Sequence, residues 1–337
     1  MAVTIGGLSL EKPVILAPMS GVTDWPFRRL VRQLGGGLVV SEMIASNAMI
    51  TGVRKELRKL SRDAAAEHPF SLQLAGWEPA VMAEAAGIAE SLGASIIDLN
   101  LGCPARKVTG RLSGSALMQD ELLVGRIFHA VRKSVDVPVT VKMRLGWDDS
   151  SLNAPRIARL AEEEGLAMIA VHGRTRCQFY KGTADWHAVA AVRAATSLPL
   201  FVNGDITDFD SVSRALAASA ADGVMIGRAA MGRPWFIAEV AEYLQDGKQP
   251  AAKSPAYIHR VMKQHLDMML QHYGHAGLRL ARKHIAAYTR CLPGSAAMRQ
   301  LANNSQDAKM VFAAMHDYFA RLQDSGCDVA MMTGHAA

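Results

Sequence analysis

The sequence is poor in cysteine and lacks any long hydrophobic run, and each shortage excludes a class of protein. Its four cysteines, Cys103, Cys177, Cys291 and Cys327, stand far apart with no Cys-x-x-Cys pair. That spacing argues against a disulfide framework or a structural zinc site, and for a reducing, cytoplasmic setting. No apolar run reaches the roughly 18 residues that a membrane-crossing helix needs. The opening Met-Ala-Val-Thr-Ile-Gly-Gly has neither the basic start nor the apolar stretch of a secretion signal. No Gly-x-Gly-x-x-Gly follows the first strand-like segment, which counts against a dinucleotide-binding fold.

What is present suits a globular chain with a sizeable core. Hydrophobic residues make up 50% of the 337 and charged residues 20%, the proportions of one large domain or a large and a small one. The net charge of +6 is unevenly placed. From Gln245 onward 11 Lys/Arg face 6 Asp/Glu, so +5 of the +6 lies in the last quarter, with seven of the 11 histidines. A basic terminal module suggests a polyanionic partner.

Short β-branched, apolar segments recur with helix-length segments between them. They predict strands at Val14–Met19, Leu38–Met43, Phe70–Ala75, Ser95–Leu99, Val139–Arg144, Met168–His172, Leu200–Asn203 and Gly223–Ile226. Amphipathic stretches such as Pro79–Leu92 and Ala154–Glu164 separate them. Nearly continuous apolar strands alternating with helices imply a parallel sheet covered on both faces. Eight such units over residues 1–244 fit a (β/α)8 TIM barrel better than an open sheet. Residues 245–254 read as a polar linker and 255–337 as a small all-helical bundle, with apolar residues at helical spacing from Ile258 to Leu322. Arg279, Lys283 and Arg290, four and seven residues apart, would make a basic stripe along one helix.

In such a barrel the chemistry gathers where the strands end, and all eight predicted ends are polar. They supply Pro18-Met19-Ser20, Glu42, Gln73, Asn100-Leu101-Gly102-Cys103, Lys142 and Arg144, His172, Asn203-Gly204-Asp205 and Gly227-Arg228. A lone Gln or His at a strand end is more often a satisfied hydrogen-bonding residue than a ligand, and Asn-Gly-Asp can be a plain turn. Two cations on one face of a strand are harder to dismiss, because burying them unpaired costs several kcal/mol, on the order of a lost charge partner each. Glycines after the last two strands, with Arg228, match the common barrel phosphate site. With Gln73 and Lys142 near a ring, that describes flavin mononucleotide, although barrels also bind phosphorylated sugars in this way.

At this point the sequence resembles a known family. Ala17-Pro18-Met19-Ser20-Gly21-Val22-Thr23-Asp24, Asn100-Leu101-Gly102-Cys103-Pro104, Lys107-Val108, Gly114-Ser115-Ala116-Leu117, Val141-Lys142-Met143-Arg144, His172-Gly173-Arg174-Thr175, Ala184-Asp185-Trp186, Val202-Asn203-Gly204-Asp205-Ile206 and Ile226-Gly227-Arg228 resemble the signatures of bacterial tRNA-dihydrouridine synthases. Arg111-Leu112-Ser113-Gly114-Ser115 is most similar to the B-type subfamily, and Arg282-Lys283-His284 with Tyr288 resembles the family's helical end. The resemblance implies FMN held by Pro18, Met19, Ser20, Gln73, Lys142, Asn203, Gly204, Asp205, Gly227 and Arg228, with His172 where cofactor and base meet. It further implies NADPH as reductant, Cys103 as proton donor, and Asn100, Arg144 and Tyr180 near a flipped uracil.

That chemistry matches the residue types. Reducing the C5=C6 bond of uracil sends a hydride to C6, builds negative charge toward C5 and O4, and then needs an acid for C5. Lys142 and Arg144 can meet the charge, and a thiol, ordinarily protonated at neutral pH, can donate. Most free cysteines are small buried apolar residues, but Cys103 lies between Gly102 and Pro104 on a strand-end loop. Cys177 is its rival, and Cys291 and Cys327 read as structural. Arg279, Lys283 and Arg290, aided by Lys107, Arg111, Arg174 and Lys181, would hold the tRNA backbone. The D-loop, and position 17 in particular, follows from the B-type likeness. Two other readings stand beside this one: an FMN barrel acting on a free pyrimidine or other small molecule, and a non-catalytic RNA-binding protein. A Schiff-base aldolase using Lys142 is a further barrel alternative. Nothing in the sequence calls for more than a monomer.

Overall fold

The computed structural model describes residues 2–57, 60, 67–105, 109 and 112–325. Within them the chain forms two sheets and a series of helices. β1 (Val3–Ile5) and β2 (Leu8–Leu10) make an antiparallel hairpin. β3 (Val14–Leu16), β4 (Leu38–Val40), β6 (Phe70–Ala75), β7 (Ile96–Leu101), β8 (Val139–Arg144), β9 (Met168–His172), β10 (Leu200–Asn203) and β11 (Gly223–Ile226) pair in parallel, and β4 pairs with β6 to close the ring. The two-residue β5 (Ile44–Ala45) prolongs the second barrel strand beside the end of β6. The eight-stranded parallel barrel read from the sequence is therefore the fold.

The strand residues explain the closure. Outward-facing side chains such as Val14, Leu72, Ile97, Val141 and Val202 are fully buried under the helices in the large apolar cluster. Inward-facing Ile15, Leu38, Ile96, Met168, Phe201 and Met225 fill the barrel's lower interior together with Val3, Ile5 and Leu10 of the hairpin. That hairpin, which closes the bottom, has strands of three residues each, too short to leave a periodic signal. The first predicted strand stops at Leu16 rather than Met19, and the fourth runs to Leu101 rather than Leu99. Pro18 explains the first difference, because it offers no N–H to a ladder.

After the barrel's last helix (Phe236–Asp246) come α-helices Pro255–Tyr273, Ala276–Tyr288, Ser295–Asn304 and Ala308–Asp324. The first is capped by Ser254, whose hydroxyl accepts the Tyr257 N–H at 3.2 Å, with Pro255 at the first helical position. The apolar faces of all four helices form one cluster that also takes in Leu30 and Trp235 of the barrel. The docking surface is the barrel helix Trp25–Gln33. Phe27 packs on His265 and His284 at centroid distances of 5.4 and 5.6 Å, and the Tyr273 hydroxyl donates to Asp24 at 2.9 Å. Gly232 permits a close backbone approach: a Cβ there would lie 2.4 Å from the Ala287 carbonyl oxygen. Among the described residues no helix is long and apolar enough to cross a membrane.

Candidate active site

A cavity of about 870 Å³ opens at the carboxyl ends of the barrel strands and continues under the helical module. Pro18, Met19, Ser20, Gln73, Asn100, Cys103, Lys142, Arg144, His172, Tyr180, Asn203, Gly204, Asp205, Gly227, Arg228 and Arg290 all line it. Register brings them into layers: Asn100 is level with Lys142, Arg144 with His172, and His172 with Asn203.

One chain of hydrogen bonds sets the polar wall from beneath. The Asp98 carboxylate accepts from Thr140 Oγ1 and from Gln73 Nε2, each at 2.7 Å. Donating to Asp98 fixes which way the Gln73 amide faces, so Gln73 Oε1 takes the Asn100 Nδ2–H at 2.7 Å. Asn100 Oδ1 then accepts the backbone N–H groups of Gly102 at 3.2 Å and Cys103 at 3.0 Å. The Cys103 carbonyl oxygen in turn receives Ser115 N–H and Oγ–H at 3.1 and 2.9 Å. Cys103 is thus held on both sides of its Cα. Burial raises the Asp98 pKa, with the Thr140 and Gln73 bonds and Lys142 opposing. Asp98 was not among the residues expected from the sequence; within a buried strand reading Ile-Ile-Asp-Leu-Asn-Leu, an acidic residue needing partners is the signal that could have marked it.

The cations behave differently from one another. Burial and the neighbouring Arg144 lower the Lys142 pKa to about 8, with Asp98 opposing. Among the described residues the Lys142 ammonium has no hydrogen-bond partner, so it is available to the cavity. Arg144, 1% exposed, is mostly engaged: Nε donates to Gly102 O at 2.8 Å, and Nη1 to Thr175 O and Phe179 O at 2.8 and 2.9 Å. It pins two mouth loops together, and burial lowers its pKa to about 10. His172 is held well below its ordinary pKa by burial and by Lys142 and Arg144, and is neutral. Arg174 Nη1 lies 3.2 Å from His172 Nε2. A guanidinium can only donate, so Nε2 accepts and the ring proton sits on Nδ1.

Asp205 organises the far wall. It is a non-glycine residue at φ 51°, and its carboxylate takes Arg174 at 2.5 and 3.1 Å, Arg228 at 3.1 Å and the Ala184 N–H at 2.8 Å. Arg174 is accordingly 1% exposed. It is a structural strut rather than the tRNA-facing cation expected from the sequence, because Asp205 draws it inward. Arg228 keeps a side chain 62% exposed and shares the Tyr180 ring with Arg144, at 5.5 and 5.6 Å from its centroid. Gly204 is needed here, since at φ 112° a Cβ would lie 2.7 Å from His172 Cδ2.

The three C-terminal cations do not form one stripe. Helix Ala276–Tyr288 ends before Arg290. Thr289 turns its hydroxyl back onto Ile285 O at 2.8 Å, and Pro293 follows soon after. Arg290 therefore lines the cavity, whereas Arg279 is an exposed residue outside it. The Lys283 ammonium donates to the Gly21 carbonyl, whose own N–H is held by the Glu42 carboxylate. Lys107, Arg111 and Cys327 lie outside the described residues. Cys177 is exposed and does not line the cavity; Cys291, expected to be structural, does.

A parallel barrel whose mouth holds Cys103 on a clamped loop, the half-buried Lys142 ammonium, unpartnered among the described residues, and the Arg228 guanidinium defines a (β/α)8-barrel enzyme. The chain belongs to the dihydrouridine synthase (Dus) family, which it matches over residues 15–324, and is thereby an oxidoreductase. It is 48% identical over 326 residues to a probable tRNA-dihydrouridine synthase of Rickettsia conorii, covering 96% of this chain and 98% of that one. It is 52% identical over 289 residues to one of Rhodobacter capsulatus, covering 86% and 89%. To tRNA-dihydrouridine synthase B of Pseudomonas aeruginosa it is 44% identical over 330 residues, covering 97% and 99%. Among solved structures, the 6-hydroxypseudooxynicotine amine oxidase of Pseudomonas geniculata superposes with a TM-score of 0.57 at 15% identity, over 78% of this chain and 52% of the larger one. That likeness concerns the barrel fold alone.

Proposed function

We propose that this enzyme reduces uridines in tRNA, in the D-loop and with position 17 the first candidate, to 5,6-dihydrouridine. The observation that carries the reading is the chain of bonds from buried Asp98 through Gln73 and Asn100 to Cys103, the last three facing, with Lys142, one cavity large enough for a cofactor and a base.

The residues fit FMN. Pro18, Met19, Met43 and Met225 offer apolar surface for a flat ring, Gln73 and Lys142 offer polar contacts at its edge, and Asn203, Gly204, Asp205, Gly227 and Arg228 gather at the opposite end for a ribityl phosphate. These residues would hold FMN, which when bound and reduced by NADPH would supply the hydride for uracil C6. Lys142 and the neutral His172 then face the charge that develops toward O4. Cys103 gives its thiol proton to C5 and regains one from solvent. Arg144 holds the Cys103 loop against the Thr175–Phe179 loop, and so keeps donor and base in register.

A base inside a folded tRNA reaches this cavity only after extrusion, which costs a few kcal/mol, roughly the energy of one lost stack. Arg228 and Arg290 at the cavity, with the exposed Lys181 and Arg279 outside it, would offset that cost through phosphate contacts whose strength falls with salt. A barrel acting on a free pyrimidine would leave the docked basic module without a role.

The test is dihydrouridine content, position by position, in tRNA lacking this modification after incubation with the protein, FMN and NADPH. Cys103→Ala runs in parallel. New dihydrouridine at a defined position, lost or greatly slowed in the variant, supports substrate, reaction and acid together. A flavin-loaded protein that oxidises NADPH yet leaves every uridine intact removes tRNA as the substrate.

A further inference from the structure

The loop that follows β9 places two adjacent aromatic side chains at the rim of the cavity. Phe179 is 38% exposed and Tyr180 53%, and both line the cavity. Phe179 lies outside the apolar clusters that the described residues form, so its ring is not held by the core. Its backbone sits at φ 57°, the left-handed region where a Cβ is disfavoured and glycine is at ease. The conformation is fixed from outside: Arg144 Nη1 donates to Phe179 O at 2.9 Å, and the Phe179 N–H donates to Arg176 O at 3.1 Å. A large apolar side chain in a disfavoured conformation, partly exposed at the cavity rim and outside the core, points to a task outside the fold.

The ring geometry suggests the task. Phe179 and Tyr180 stand edge to face, 5.8 Å apart with an interplanar angle of 80°. Two rings so disposed cannot both stack on one nucleobase. Tyr180 is held from the cavity side by Arg144 and Arg228. Phe179 has a different cation, Arg176 at 5.9 Å from its centroid, itself over Trp147 at 4.5 Å. Aromatic rings interleaved with guanidinium groups are the surface on which unpaired bases stack.

We propose that Phe179 is the stacking platform for the nucleobase next to the extruded uridine, while Tyr180 faces the uridine itself. The inference rests on the tRNA reading above. Phe179 takes the place of the stacking neighbour that the flanking base loses when the uridine leaves, and so lowers the cost of extrusion.

The test replaces Phe179 by the photocrosslinking analogue p-benzoyl-phenylalanine and maps the crosslink on tRNA lacking dihydrouridine. A crosslink to the nucleotide adjoining the reduced uridine is expected; none, or one elsewhere in the tRNA, overturns the proposal. In parallel, Phe179→Ala should lower kcat/KM for tRNA by about 5- to 150-fold, mainly through KM, and Phe179→Trp should restore it. Phe179→Gly, which relieves the backbone, should be as defective as Phe179→Ala. Wild-type efficiency in Phe179→Ala, or a defect that Trp fails to repair while Gly does, assigns the residue to loop structure and sinks the idea. If the unsubstituted enzyme reduces no tRNA uridine at all, the parent reading fails instead.

Discussion

The side-chain oxygen of Asn100 accepts the backbone N–H of Cys103 at 3.0 Å, so the Cys103 loop is fixed by a residue of the strand that precedes it. Asn100→Ala removes that bond and the one to Gln73 together. Single-turnover uridine reduction is expected to fall by roughly 10- to 100-fold, as it does when reacting groups are misplaced by an ångström. Affinity for tRNA, measured by filter binding, should change little. A variant as fast as wild type would mean that the loop needs no help from Asn100.

Asp205 joins Arg174 and Arg228. Asp205→Asn keeps the shape but leaves the buried Arg174 without its counter-charge. The expected loss of unfolding free energy is about 1–3 kcal/mol, discounted because Asp205 is partly exposed. Urea denaturation measures it, and an unchanged midpoint would show that solvent screens the pair completely.

Lys142 makes stability depend on pH in a direction that can be worked out. Its pKa in the folded chain is about 8, against the ordinary 10.5. Between those values the unfolded chain binds one proton more than the folded chain, so stability rises with pH across that window. Below about 8 both states carry the charge and the burial penalty is present in full. In cofactor-free protein, wild type should gain roughly 2–3 kcal/mol relative to Lys142→Met between pH 8 and pH 10.5. Parallel profiles for the two proteins would show that the ammonium titrates normally.

Gly232→Ala attacks the joint between barrel and helical module. The new Cβ would lie 2.4 Å from Ala287 O, at a backbone φ of 78°. We expect about 2–4 kcal/mol of destabilisation and faster protease cleavage in the 247–254 segment. Unaltered cleavage would mean that the two parts separate without exposing that segment.

The eight barrel strands were legible because each is largely buried on both faces and reads as a mostly apolar run between turn signals. Most of the candidate site was legible for a related reason: a barrel brings every strand end to one mouth, so Gln73, Asn100, Lys142, His172 and Asn203 could be expected together from order alone. The hairpin at the barrel floor was not, since three-residue strands carry no period.

Some side chains kept their role hidden until the chain was folded. Asp98 and Gln73 lie 25 positions apart, and only the β6–β7 register makes them partners. Arg174 had the look of a mouth cation until Asp205, held at an unusual φ, drew it inward. Arg290 shared a spacing with Lys283 but not a helix, because Thr289 and the approaching Pro293 end it first. The sequence by itself determined the barrel, its order of strand ends and the family, since these follow from local burial patterns and contiguous motifs. Tertiary structure alone decided which charges face the cavity and which are consumed in pairing, because a charged side chain's orientation depends on partners that the fold brings from distant strands.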